Sequence, residues 1–332
     1  MTPSPPEPAP TLNATKRAVA DTSFRYLSLA CGLGVLVILA LIAFFTTKEA
    51  WPAFRQGGAR FFFSRTWDPN HTKLVHGQQV PDPVFGALPF IYGTMVVSAI
   101  ALIVALPVSL GLALFLSDVA PRRFRGPVSY GIDLMAAVPS VVYGLWGVLV
   151  LVPILGRLYT RIGKDLHGVP VLGTVFSGSN GGKGFMTAGL ILALMITPIV
   201  TSLSREVFDT VPRAQKEAAL ALGSTRWEMI RGSILPWGRS GVTGAVMLGL
   251  GRAMGETIAA ALVIGSSPQI TARLFGSGDA LAAVIANQFG EASDLQRAAL
   301  IGLGVVVFVL TIIVNSAARA LVGRGTPPGA TA

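Results

Sequence analysis

Arg252 and Glu256 are the residues of this chain best placed to do chemistry. They are the only opposite charges set inside one long apolar run, Ser240 to Thr271. Four residues apart on a helix, they share a face and can pair. Ionisable groups inside a membrane turn toward a bundle interior or a water-filled path, because exposure to lipid costs at least ~2.5 kcal/mol. Gly249, Gly251 and Gly255 remove bulk around them, so a second helix or a solute can come close. The chemistry on offer is anion handling. Arginine presents a permanent charge and a planar fork that matches tetrahedral oxyanions, with Glu256 expected to hold it when no anion is present. A static ion pair that only fixes helix packing fits the same spacing. Charge alone does not separate phosphate from sulfate. An acceptor such as Glu256 would favour protonated phosphate, which donates a hydrogen bond that sulfate lacks at neutral pH.

Other chemistry finds little support. The glycine-rich stretch before Lys183 departs from a phosphate-binding loop, with Ser177 in place of the first Gly and Gly184 in place of the final Ser or Thr. His71, His76 and His167 fall in loops without metal-ligand company, and Cys31 is the only cysteine. Asp133 reads as an interfacial cap near the start of the third helix. No metal site, and no cofactor held by this chain, is expected.

The elements that must position Arg252 are membrane helices. The 332 residues are 52% hydrophobic and 13% charged, outside the soluble globular range. Charge-free runs at 26–47, 83–117, 134–156, 184–204 and 298–318 each exceed the ~20 residues a spanning helix needs. With the run at 240–271 they give an all-α integral membrane protein of six transmembrane helices, since barrel-type alternation is missing. The expected layout has a disordered tail over 1–23 and spans at 24–47, 83–117, 129–156, 184–204, 240–266 and 298–320. Inner loops fall at 118–128 and 205–239, outer loops at 48–82, 157–183 and 267–297, and an inner tail at 321–332. Pro89 and Pro107 suggest an interfacial start or a kink in the second span. Trp51, Phe61, Phe62, Phe63 and Trp67 suit an interfacial aromatic layer. The net charge of +10 is spread over both sides, fourteen Lys and Arg (Arg319 among them) inside and eleven outside. This fits anionic headgroups better than nucleic acid.

Between the fourth and fifth spans lies a polar island, EAALALGSTRWEMIRGSILP, from Glu217 to Pro236. Thr210 is expected to cap a short helix with Pro212 in its first turn, ending at a left-handed Gly223. Thr225 and Glu228 have capping-box spacing for a second helix, which Pro236 should stop before the next span. The small face formed by Ala218, Ala219 and Ala221 permits close approach of another surface. Two plainer readings share parts of this pattern: a DNA-reading helix-turn-helix, which rarely lies between spanning helices, and an ordinary solvated loop.

These residues resemble the EAA loop of ATP-binding-cassette importer permeases. Glu217, Ala218, Ala219, Gly223, Leu235 and Pro236 match, whereas Ser233 stands where the pattern has an apolar residue. More narrowly, LGLGRAMGET (248–257), FIYGTMVVS (90–98), AVPSVVYGLWG (137–147) and VIANQFGEA (284–292) are similar to the phosphate-importer permease family PstC. GRAMGET is shared in part with the sister family PstA. The resemblance implies the type I importer permease (MetI-like) fold with a cytoplasmic EAA coupling loop, in a bacterial inner membrane with both termini cytoplasmic. It implies a non-catalytic subunit paired with a PstA-like permease, with ATP and Mg on a PstB-like ATPase dimer and inorganic phosphate delivered by a PstS-like binding protein. Arg252 and Glu256 match positions the family implicates in phosphate passage, and the six EAA positions match its ATPase contact. Three alternatives remain open at this stage. One is a permease for sulfate or molybdate, and another is a sensor or assembly protein. The third is an ion-coupled secondary transporter, whose inverted repeats and broken helices are not legible here.

Overall fold

The computed structural model describes residues 14–75 and 78–323. They fall into two compact units, one ending at Glu49 and one beginning at Ala50. The first unit is helical from Ala14, within α1 (Ala14–Gly57). Helix therefore occupies 14–23, part of the expected tail, where Ala, Lys and Arg favour it and no proline intervenes. Residues 1–13 of that tail lie outside the described residues.

The second unit continues with α2 (Ala59–Phe63) and an antiparallel hairpin of β1 (Thr72–Val75) and β2 (Gln78–Pro81), with Thr72 opposite Pro81. Two of the aromatic residues expected at an interface are instead core. Phe61 packs edge-on to Phe54, and Trp67 packs edge-on to Phe85 and Phe90. The Trp67 indole N–H donates to Gln288 Oε1 at 3.0 Å, which satisfies its one polar atom. Trp51 and Phe63 remain exposed.

The helical body follows as α3 (Leu88–Leu114), α4 (Arg122–Ala137), α5 (Ser140–Trp146), α6 (Val152–Asp165), α7 (Leu172–Val175) and α8 (Phe185–Asp209). Then come α9 (Arg213–Ala221), α10 (Arg226–Met229), α11 (Leu235–Met254), α12 (Ile258–Ile264), α13 (Leu281–Gln288) and α14 (Asp294–Gly323). Among the described residues five helices are long and apolar enough to cross a membrane, and six when the bent pair ending in α11 and α12 counts as one span. Helices suit this setting because they satisfy every backbone group internally.

Three π turns, at Phe115–Val119, Gly147–Leu151 and Ile230–Ile234, extend or join these helices. Pro107 leaves α3 helical through its full length. The third span runs Ser140–Asp165 rather than 129–156. Pro139, with no N–H to continue the ladder, separates it from α4, an amphipathic helix of its own. Asp133 therefore sits inside α4, where it accepts from Ser202 Oγ of α8 at 2.6 Å, and is not a cap. The most enclosed span is α8, with 61% of its apolar window buried, and α3, α4, α11 and α12 pack against it. Gly189 lets α3 lie close, because a Cβ there would strike the Ile100 side chain.

Candidate functional site

Helix α11 stops at Met254, and the chain bends by 62° before α12. Its last turn closes through Gly255 N–H to Gly251 C=O at 3.2 Å and Glu256 N–H to Ala253 C=O at 3.3 Å. Glu256 Oε1 then accepts from Ala259 N–H at 3.1 Å, so this buried carboxylate caps the first turn of α12. The expected Arg252–Glu256 pair is not formed. A four-residue spacing brings side chains together only along a continuous helix, and this one breaks between them. The fifth apolar segment is thus broken between α11 and α12, a feature not legible in the sequence.

Arg252 is exposed and makes no ion pair among the described residues. It lines a groove of about 780 Å³ together with Ser240, Thr243 and Gly251 of α11 and Asn315 and Arg319 of α14. Of the three glycines near the pair, Gly249 serves packing, since a Cβ there would come within 2.8 Å of Val200 Cγ2. Gly251 borders the groove with open space where its side chain would be. Sequence reasoning passed over Arg319 and Asn315. Arg319 reads as one more basic residue at a helix end, and the only available signal was its four-residue spacing from Asn315 at the close of an apolar run.

The polar island folds as a helical hairpin. Helix α9 ends with Gly223 at φ +83°, with Gly223 N–H to Leu220 C=O at 3.0 Å and Ser224 N–H to Ala219 C=O at 3.2 Å. These are the two bonds of a Schellman terminus. The Thr225–Glu228 capping box is complete, with Glu228 N–H to Thr225 Oγ1 at 3.3 Å and Thr225 N–H to Glu228 Oε2 at 2.7 Å. Thr210 behaves differently from expectation. It closes the end of α8, its hydroxyl donating to Val207 C=O at 2.7 Å, while Pro212 flanks α9 without a side-chain cap.

Pro236 does not end the element. A π turn closed by Leu235 N–H to Ile230 C=O accommodates its missing N–H, and α10 runs on into α11. Ala218, Ala219, Ser233 and Pro236 meet in a cleft of about 470 Å³, with Glu217 exposed on the same helix α9 and Leu235 packed in the adjoining core. Ile234, fully buried, takes the apolar position beside Ser233. Leu222 at 88% and Trp227 at 62% exposure leave large apolar surface bare on this hairpin. Lys216 Nζ bonds Asp118 Oδ1 at 2.7 Å, tying α9 to the π turn that follows α3.

Elsewhere, His71 Nδ1 lies 3.6 Å from Asp68 Oδ2, His167 borders a surface cleft, and His76 lies outside the described residues. Among the described residues no three His, Cys, Asp or Glu side chains gather as a metal site. Asp279, between α12 and α13, has its carboxyl pushed up to about 7 by burial, partly offset by the hydrogen bond from Ala280 N–H.

Residues 105–325 match the family described as binding-protein-dependent transport system inner membrane component. The phosphate transport system permease protein PstC of Xylella fastidiosa (strain Temecula1) is 44% identical over 308 residues, covering 92% of each chain. PstC of Mesorhizobium japonicum is 40% identical over 309 residues, covering 92% of this chain and 91% of that one. Among solved structures, a bacterial ABC transporter involved in import of the acidic polysaccharide alginate aligns with a TM-score of 0.60 at 15% identity, over 94% of this chain and 100% of that chain. The inward-facing MetNI methionine ABC transporter aligns with a TM-score of 0.51 at 18% identity, over 73% and 95%. Those two likenesses show the fold, that of an ABC importer permease. The chain belongs to the binding-protein-dependent transport system inner membrane component family, and the relatives that match it nearly end to end are PstC permeases.

Proposed function

We propose that this chain is a transmembrane permease subunit of an ATP-driven importer of inorganic phosphate. The observation that carries this reading is the 44% identity to a phosphate transport system permease across 92% of both chains. In this reading the chain is non-catalytic and pairs with a PstA-like permease. A PstB-like ATPase dimer binds and hydrolyses ATP with Mg, and a PstS-like protein delivers phosphate from outside. The protein sits in a bacterial cytoplasmic membrane with both termini inside.

The EAA residues Glu217, Ala218, Ala219, Gly223, Leu235 and Pro236 belong to the hairpin that docks on one ATPase. The exposed Leu222 and Trp227 supply apolar area for that contact. Since α10 continues into α11, a displacement of the hairpin is carried along the helix to Arg252. ATP-driven closure then shifts the bundle between inward-open and outward-open states, provided the ATPase contacts the hairpin differently in the two. Arg252 attracts the phosphate dianion in the groove. Glu256 acts by holding the break that ends α11 beside Arg252, and not by pairing with it.

The test is phosphate uptake and phosphate-stimulated ATPase activity of the complete complex in proteoliposomes, comparing wild type with Arg252→Gln and phosphate with sulfate. Stimulation by phosphate alone is expected. Uptake should fall at least about a hundredfold in Arg252→Gln while the complex stays assembled, the scale of losing a charge-assisted contact worth ~3 kcal/mol. Stimulation by sulfate instead would change the cargo and keep the machine. Loss of the folded subunit would favour a packing role for Arg252.

A further inference from the structure

We propose that Asn315 and Arg319 of α14 form a second anion-holding position in the Arg252 groove, one suited to an oxyanion that carries a proton. The inference rests on the phosphate-importer reading and adds a residue pair to its path. Both residues line the same groove as Arg252, with Ser240, Thr243 and Gly251 between. Successive spans run in opposite directions, so the C-terminal end of α14 lies on the side where α11 begins. Ser240 and Arg252 are separated by twelve residues, about 18 Å of helix. Arginines therefore stand toward the two ends of one groove, and among the described residues no Asp or Glu lines it.

The chemistry of the α14 pair is specific. Asn315 lines the groove and its Oδ1 accepts no hydrogen bond among the described residues, so a rotation of the amide toward the groove would offer a free acceptor. Arg319 is exposed and makes no ion pair among the described residues. Residues 315 and 319 are one turn apart on α14, which puts both on the groove side. An oxyanion can seat two oxygens on the guanidinium fork and donate its own O–H to Asn315 Oδ1. Hydrogen phosphate has that O–H and sulfate at neutral pH does not. Glu256 does not line this groove, and its Oε1 is engaged in capping α12.

The same pair could hold the phosphate of a lipid headgroup, so the test separates the two sources. Uptake is measured in proteoliposomes of the full complex carrying Arg319→Gln, Arg319→Lys, Asn315→Leu or Arg252→Gln, each with and without phosphatidylglycerol. Expected for Arg319→Gln is an uptake loss of about tenfold, the low end of the range for a hydrogen bond to a charged group. Phosphate-stimulated ATPase should persist, so that less phosphate moves per ATP. Arg319→Lys, which keeps the charge and loses the fork, should recover only part of the loss, and the deficit should not depend on the lipid. Normal uptake in Arg319→Gln beside a dead Arg252→Gln overturns this position and leaves the proposed function standing. Normal uptake in both removes the path itself. A deficit seen only with phosphatidylglycerol assigns the pair to headgroups and overturns it equally. Should Arg319→Gln fail to assemble, Asn315→Leu decides: reduced uptake supports the position, and unchanged uptake rejects it.

Discussion

The hairpin at 213–236 and the break at 252–257 carry equally suggestive spacings, yet only one of them folds as its spacing suggests. In the hairpin, Gly223 takes the left-handed conformation and Thr225 and Glu228 exchange both hydrogen bonds of a capping box. At the break, Arg252 and Glu256 never meet. The two signals differ in what they require. A cap is a contract between backbone groups three residues apart, and it holds wherever a helix happens to start. A four-residue ion pair needs an unbroken helix between its members, and continuity is decided by neighbours far away in sequence. The polar side chain thus found the nearest bare backbone donor, Ala259 N–H, in preference to the arginine.

The strongest way to break that comparison is Gly223→Val. At φ +83° a β-branched residue costs about 1–2 kcal/mol and opens both bonds of the α9 terminus. Open space around the glycine rules out a simple clash, so the effect is conformational. Phosphate uptake per assembled complex should fall roughly tenfold as the docked geometry is depopulated. Unchanged uptake at normal subunit levels would mean that the turn does not set the ATPase contact.

A smaller effect separates the two roles open to Glu256. Glutamine keeps the acceptor oxygen that caps α12 and removes the charge, whereas alanine removes both. As a cap, Glu256→Gln should transport within about twofold of wild type, and Glu256→Ala should fall about fivefold, the scale of a ~1 kcal/mol cap. An equal loss in both variants would return the carboxylate charge to the mechanism. Initial rates of phosphate uptake, normalised to assembled complex, make the measurement.

These outcomes track what could be read from the chain. The apolar runs announced six spans, because a bilayer demands long uninterrupted hydrophobic segments. The hairpin at 213–236 was legible through Gly223, Thr225 and Glu228, whose preferences act over a few residues. Pro236 misled. In isolation it ends a helix, but the π turn at Ile230–Ile234 absorbs its missing N–H and joins α10 to α11. Pro139 carried a real break that the charge-free run around it concealed. Phe61 and Trp67 were read as interfacial because nothing local shows that Phe54, Phe85 and Phe90 return to cover them. Arg319 was invisible as a site residue for the same reason, since its partner in the groove lies 67 positions earlier, at Arg252.

The smallest expected effect sharpens the comparison most. Thr225 caps α10 as Glu256 caps α12, but Thr225 is exposed and Glu256 is buried. Water can replace a lost cap at the surface and cannot do so inside. Thr225→Ala should therefore cost only about 0.5 kcal/mol, near the low end for N-caps, and reduce coupled uptake about twofold. Thr225→Ser, which retains the accepting Oγ, should be silent. If Thr225→Ala were as damaging as Glu256→Ala, burial would not be what separates the two caps, and the hairpin's first turn would have to be part of the ATPase contact itself.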